Sequence, residues 1–185
     1  MPLSTPNPRS PLHTRSLTFQ GYQREDGLFD IEGHLIDTKP FDIPNTDRGG
    51  IIPTGGALHE MRIRITLDQA MVIHAAEAVT EWAPFHYCQG GPATFSRLVG
   101  EKIGPGWNNR VKELLGKTKG CTHITEMLAQ LATTAFQSMY SHRRQAETQV
   151  IDTKPVILDT CFALASDSPV VEQHWPLFYQ PKATP

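Results

Sequence analysis

Cysteine is scarce in this chain: Cys88, Cys121 and Cys161 are the three in 185 residues, too far apart to build a disulfide framework. No apolar run is long enough to span a membrane, and no apolar leader core follows the start, so a membrane partner and a secretory leader are not expected. An excess of either charge is missing too: 17 Lys and Arg stand against 19 Asp and Glu, a formal net charge of -2. The basic footprint of a nucleic-acid binder is therefore absent. Gly49-Gly50 and Gly55-Gly56 lack the spacing and the strand-to-helix setting of a phosphate-binding loop. Together these absences leave a bacterial-type cytoplasmic protein with a small-molecule substrate as the expectation.

What is present fits one α+β domain. The 39% hydrophobic content suffices for a core over residues 16–180, with a proline-rich arm at 1–15 and a short tail at 181–185, both expected to be disordered. The strongest pattern follows Gly120-Cys121-Thr122-His123: Ile124, Met127, Leu128, Leu131, Ala132, Ala135 and Met139 recur at steps of three and four. That spacing predicts a buried helix to about Tyr140, with Thr122 as its N-cap. Cys121 then stands at a helix N-terminus, where partial positive charge favours the thiolate, the form that acts as nucleophile or metal ligand. The alternative is a small buried hydrophobe.

Three or four strands precede the helices as an antiparallel meander. The first is expected from Leu17 to Tyr22. In the second, Phe29, Ile31, Gly33 and Leu35 alternate with Asp30, Glu32 and His34, which puts two carboxylates and an imidazole on one face. That face is either a proton-transfer surface or the solvated side of the sheet. A loop from about Pro40 to Ala57 follows, and loops of this length are often functional. His59, Met61, Ile63, Ile65 and Leu67 make a half-buried strand, and Met71 to Val79 its partner. Pro92 opens a short helix closed by Gly100, and Trp107 a second one stopped by Gly116. Ile36-Asp37-Thr38-Lys39-Pro40 recurs as Ile151-Asp152-Thr153-Lys154-Pro155, a match too short to establish a repeat.

Strands followed by helices, with Cys88 before a helix and Cys121 at the longest one, resemble the U-type iron–sulfur scaffold fold over about residues 56–136. That resemblance implies that His59, Cys88 and Cys121 meet, with His123 nearby. It lacks a cysteine in Gly56-Ala57-Leu58-His59, and Gly116-Lys117-Thr118-Lys119-Gly120 replaces the scaffold family's Pro-Val-Lys segment. A broader similarity rests on Gly21-Tyr22, Arg24-Glu25-Asp26-Gly27-Leu28, Asp30-Ile31-Glu32-Gly33-His34, Asp37-Thr38-Lys39-Pro40, Gly104-Pro105-Gly106-Trp107 and Gly120-Cys121-Thr122-His123. These motifs are similar to a bacterial domain family of unknown function.

Three functions follow from these residues. The first is a small-molecule enzyme of lyase, isomerase or hydrolase type. Zinc or iron would be held by His59, Cys88 and Cys121 with one open position, and Glu32, His34 or His123 would move protons. A metal-free variant would use Cys121 as nucleophile with His123 or His59 as base. The second is an iron–sulfur or metal-binding scaffold, and the third a noncatalytic binding module. Arg24 and Lys39 are candidates for an anionic substrate group. His13, His74, His86, His142 and His174 are expected to be surface or core residues, and Cys161 is left open. An exposed edge at the first strand would suit a homodimer.

Overall fold

Alternation and turn chemistry produce an antiparallel meander with helices on one face. The structure, a computed structural model, describes residues 2–140 and 153–182. His142 and the Ile151-Asp152 half of the repeated pentapeptide lie outside those residues. Two compact units divide the chain, residues 1–140 and 141–185.

The first unit holds a four-stranded sheet in the order β1-β2-β5-β6, from β1 (Thr14–Gln23), β2 (Phe29–Thr38), β5 (Ala57–Leu67) and β6 (Ile73–Trp82). A small hairpin, β3 (Ile43–Asn45) and β4 (Gly50–Ile52), occupies the segment expected to be an unstructured loop. Its turn works because Asn45 accepts a bond from the Arg48 backbone and Gly49 takes the left-handed conformation, φ 78°. Two helices complete the unit, α1 (Trp107–Leu115) and α2 (Thr122–Ser138). The segment opened by Pro92 is a 3-10 helix, Pro92–Leu98.

The period of two sorts the side chains between the faces. Phe29, Ile31 and Leu35 of β2 and Met61, Ile63, Ile65 and Leu67 of β5 are buried beneath Ile124, Met127, Leu128, Leu131 and Ala135 of α2. The expected apolar stripe is thus the seam of this core. Trp107 ties the helices together, donating its indole N–H to the Leu128 carbonyl at 3.2 Å. At Gly21 the end of α2 comes close to β1: a Cβ there would lie 2.7 Å from the Ser138 Cβ. The fourth strand starts at Ile73, later than expected, because Met71 adopts φ 66° and turns the chain.

The register places residues in cross-strand rows on the helix-facing side. Arg15, Asp37 and His59 form the first row, Leu17, Leu35 and Met61 the second, and Phe19, Gly33 and Ile63 the third. Phe19 lies over Gly33, where a Cβ would come within 3.0 Å of its ring. Beyond the first row a β-bulge at Leu58 interrupts the β2–β5 ladder, since Asp37 faces His59 but Thr38 faces Ala57. Bulges of this kind re-aim side chains at sheet ends.

The second unit is small: a 3-10 turn at Phe162–Leu164, a short helix α3 (Pro169–His174) capped by Ser168, and buried Leu158 and Val171. Asp159 accepts from Lys154 and from Ser166, and the Lys154 ammonium first among these holds its carboxyl down to about 2.

Candidate functional site

The polar end of the core is the first cross-strand row, and α2 completes it. Asp37 occupies the β2 position in phase with Phe29, Ile31 and Leu35, so its carboxylate points into the protein, 1% exposed. An ionised carboxylate at that depth needs partners. Arg15 supplies a bidentate fork, Nε to Oδ1 and Nη2 to Oδ2, both at 2.8 Å. His59 Nδ1 lies 3.0 Å from Oδ2 and His13 Nε2 3.2 Å from Oδ1. His123, in the first turn of α2, brings Nε2 to 3.9 Å from Oδ2 and sets its ring 3.9 Å, centroid to centroid, from that of His59. Glu126, one turn further along α2, accepts from Arg15 at 3.2 Å and is 58% exposed.

Ligand atoms of Asp37, His59 and His123 all lie within 4.8 Å of one another, a spacing that could hold a metal ion. The electrostatics suit that role. Burial pushes the Asp37 carboxyl up, but the bonds from Arg15 and His59 and the Arg15 and His13 charges outweigh it, so the group sits below its ordinary value. Burial lowers His59, helped by the neighbouring His123. Burial also lowers His123, helped by the Arg15 charge. Both shifts favour the uncharged imidazole, the form that ligates metals or accepts protons.

These shifts carry a sign for stability. Below the ordinary histidine value of 6.5 the unfolded chain takes up protons that folded His59 and His123 refuse. Metal-free protein is therefore expected to lose stability as pH falls from 7.5 to 5.5. Asp37 adds to the loss only at lower pH, below its ordinary 3.8. Urea midpoints at the two pH values check this, and a midpoint equal or higher at pH 5.5 would contradict it.

Other expected site residues fall elsewhere. Cys121 is the N-cap residue of α2 in place of Thr122, with no side-chain capping bond, and its thiol rests on the Met61 sulfur at 3.7 Å. Gly91 packs the turn after Cys88 against Cys121, with room for a Cβ only at 3.2 Å from the Cys121 Cβ. Among the described residues, the group within metal reach contains no thiol. Glu32 and His34 lie on the opposite face of the sheet, where they line a groove of about 270 Å³ with Arg62, Arg64 and Glu77. There His34 meets Glu60 at 3.0 Å and Glu32 meets Arg64 at 3.7 Å. Arg24 pairs with Asp26 at 2.7 Å, and Lys39 stands over the Phe41 ring at 5.9 Å.

The sequence analysis does not single out Asp37 or Arg15, and it expects His13 to be a surface or core residue; His13 is exposed and still reaches Asp37. The available signal was phase: Asp37 continues the apolar odd positions of β2, where an acid must be paired.

The four-stranded sheet thus carries an Asp/His/His cluster at one end. The chain belongs to the family described as protein of unknown function (DUF2889), which matches residues 13–137, a span that opens on His13 and contains every member of the cluster. No curated protein and no solved structure matches the chain.

Proposed function

We propose that Asp37, His59 and His123 bind one zinc or iron ion and that the domain is a small-molecule enzyme of lyase, isomerase or hydrolase type. The observation that carries this reading is the convergence of one buried carboxylate and two half-buried imidazoles, with ligand atoms within 4.8 Å of one another. Two histidines and one carboxylate form a donor set used by zinc and by non-haem iron, and three protein ligands leave positions open. When bound, such an ion polarises a carbonyl or hydroxyl or activates water. The chain's own part is to hold Asp37 in place through Arg15, keep His59 and His123 uncharged, and offer the exposed carboxylate of Glu126 at the rim as a proton acceptor.

A second, metal-free reading has an observation of its own. An ionised carboxylate only accepts hydrogen bonds, so His59 donates from Nδ1 to Asp37 and its Nε2 is left as a base oriented by that bond. An iron–sulfur role has less support, because the Cys121 thiol sits on Met61 and is not among the gathered ligand atoms.

Calorimetric titration with Zn²⁺, and with Fe²⁺ without oxygen, separates the first two. The metal reading expects one saturable site per chain, weakened at least about 100-fold in His59→Ala and His123→Ala. Wild-type protein that takes up neither ion would leave the Asp37–His59 base.

A further inference from the structure

We infer that Arg15 and His13 clamp Asp37 so that it can coordinate a divalent ion through one oxygen only, with the ion entering at the place of the His59 Nδ1 proton. This rests on the metal reading above.

A carboxylate offers about four lone-pair positions, and all four on Asp37 face a donor. Oδ1 receives Arg15 Nε at 2.8 Å and His13 Nε2 at 3.2 Å. Oδ2 receives Arg15 Nη2 at 2.8 Å and His59 Nδ1 at 3.0 Å. An ion bound to Asp37 must take the place of one of them. The guanidinium is the hardest to displace, because its planar fork makes two charge-assisted bonds and its third arm is braced by Glu126 at 3.2 Å. His13 faces Oδ1, away from the oxygen that His59 and His123 approach.

The His59 proton is the one that can leave without loss. A neutral imidazole can carry its single proton on Nε2 instead, so Nδ1 becomes a ligand with no change in net charge. Two ligand atoms each about 2.0–2.2 Å from one tetrahedral ion stand roughly 3.3–3.6 Å apart. His59 Nδ1 and Asp37 Oδ2 stand at 3.0 Å, a few tenths of an ångström from that separation. Arg15 and His13 are therefore positioning residues. They hold the carboxylate still while the ion replaces a proton, and they keep Oδ1 from turning toward it.

The test measures Zn²⁺ affinity by calorimetry, and the visible spectrum of the Co²⁺-loaded protein, for wild type, Arg15→Lys, Arg15→Gln and His13→Gln. Loss of the fork is expected to weaken Zn²⁺ binding about 10–100-fold in both Arg15 variants, the range seen when partners of a ligating carboxylate are removed. Arg15→Lys keeps the charge, so its weakening would show that geometry and not charge matters. His13→Gln, just before β1, is expected to lose about 10-fold, the low end of that range, and carries the test if Arg15 variants do not fold. The Co²⁺ bands of Arg15→Gln should lose intensity as the freed carboxylate turns to two-oxygen coordination, a change that a purely structural role for Arg15 would not produce. Unchanged or tighter Zn²⁺ binding in Arg15→Gln, or an unaltered Co²⁺ spectrum, would overturn the clamp while leaving the metal centre standing. Wild-type protein that binds no Zn²⁺ would overturn both.

Discussion

Asp37→Ala is expected to abolish metal uptake and to lower the folding free energy by about 2–4 kcal/mol. The carboxylate is 1% exposed and gathers donors from β1, β5 and the residue just before β1, so its removal leaves Arg15, His59 and His13 facing an apolar methyl. Arg15 and His13 are partly exposed and can turn to water, which keeps the cost below that of a wholly buried charge. His59 has less freedom. Asp37→Asn should not rescue, because the amide offers one acceptor oxygen to a site built from donors. Urea unfolding with and without Zn²⁺ measures both effects. A variant within about 0.5 kcal/mol of wild type, the range of an ordinary surface substitution, would show that the row is not a structural unit.

Leu131→Ala is expected to cost about 2–5 kcal/mol, the range for truncating a fully buried leucine. Leu131 is fully buried in the middle of α2, on the stripe packed over β2 and β5, and the neighbouring Gln130 is exposed. Gln130→Ala should therefore change the midpoint little. The pair of measurements tests whether α2 is held by its stripe. A loss as small for Leu131 as for Gln130 would place the helix elsewhere. Because His123 rides on the first turn of the same helix, Leu131→Ala should also weaken the cluster, but less than a change in the cluster itself.

How much of this was legible depends on the length of each periodic signal. The helix from Cys121 and the strand from His59 repeat over many residues, and both were readable along with their buried faces. His59 and His123 were both singled out as site residues, and they do meet. Asp37 was harder. Ile36-Asp37-Thr38-Lys39-Pro40 reads as the segment that ends the second strand, and where a strand ends its phase is no longer followed, so the acid that continues the apolar face goes unnoticed. Arg15 fell in the last residue of an expected disordered arm, although β1 begins at Thr14. Its partner lies 22 residues on, joined by a cross-strand register that no local pattern encodes. The same limit explains the thiols. A helix N-terminus marks Cys121 as reactive in principle, but which side chain it touches is set by packing against Met61 on another strand.

The face that carries Glu32 and His34 shows the opposite case. Its alternation was read correctly, and its charges are taken up by Arg64 and Glu60 across the sheet. The Glu32–Arg64 pair is exposed and contributes little, while His34–Glu60 is half-buried.

The measurement that bears most directly on the account is elemental analysis, with an absorption spectrum, of protein purified without oxygen, for the wild type and the His59→Ala/His123→Ala double variant. About one zinc or iron per wild-type chain is expected, with no sulfide-type absorbance and no bound metal in a double variant that remains folded. Equal metal in both proteins, or metal lost only when Cys88 and Cys121 are replaced, would contradict a centre at Asp37, His59 and His123.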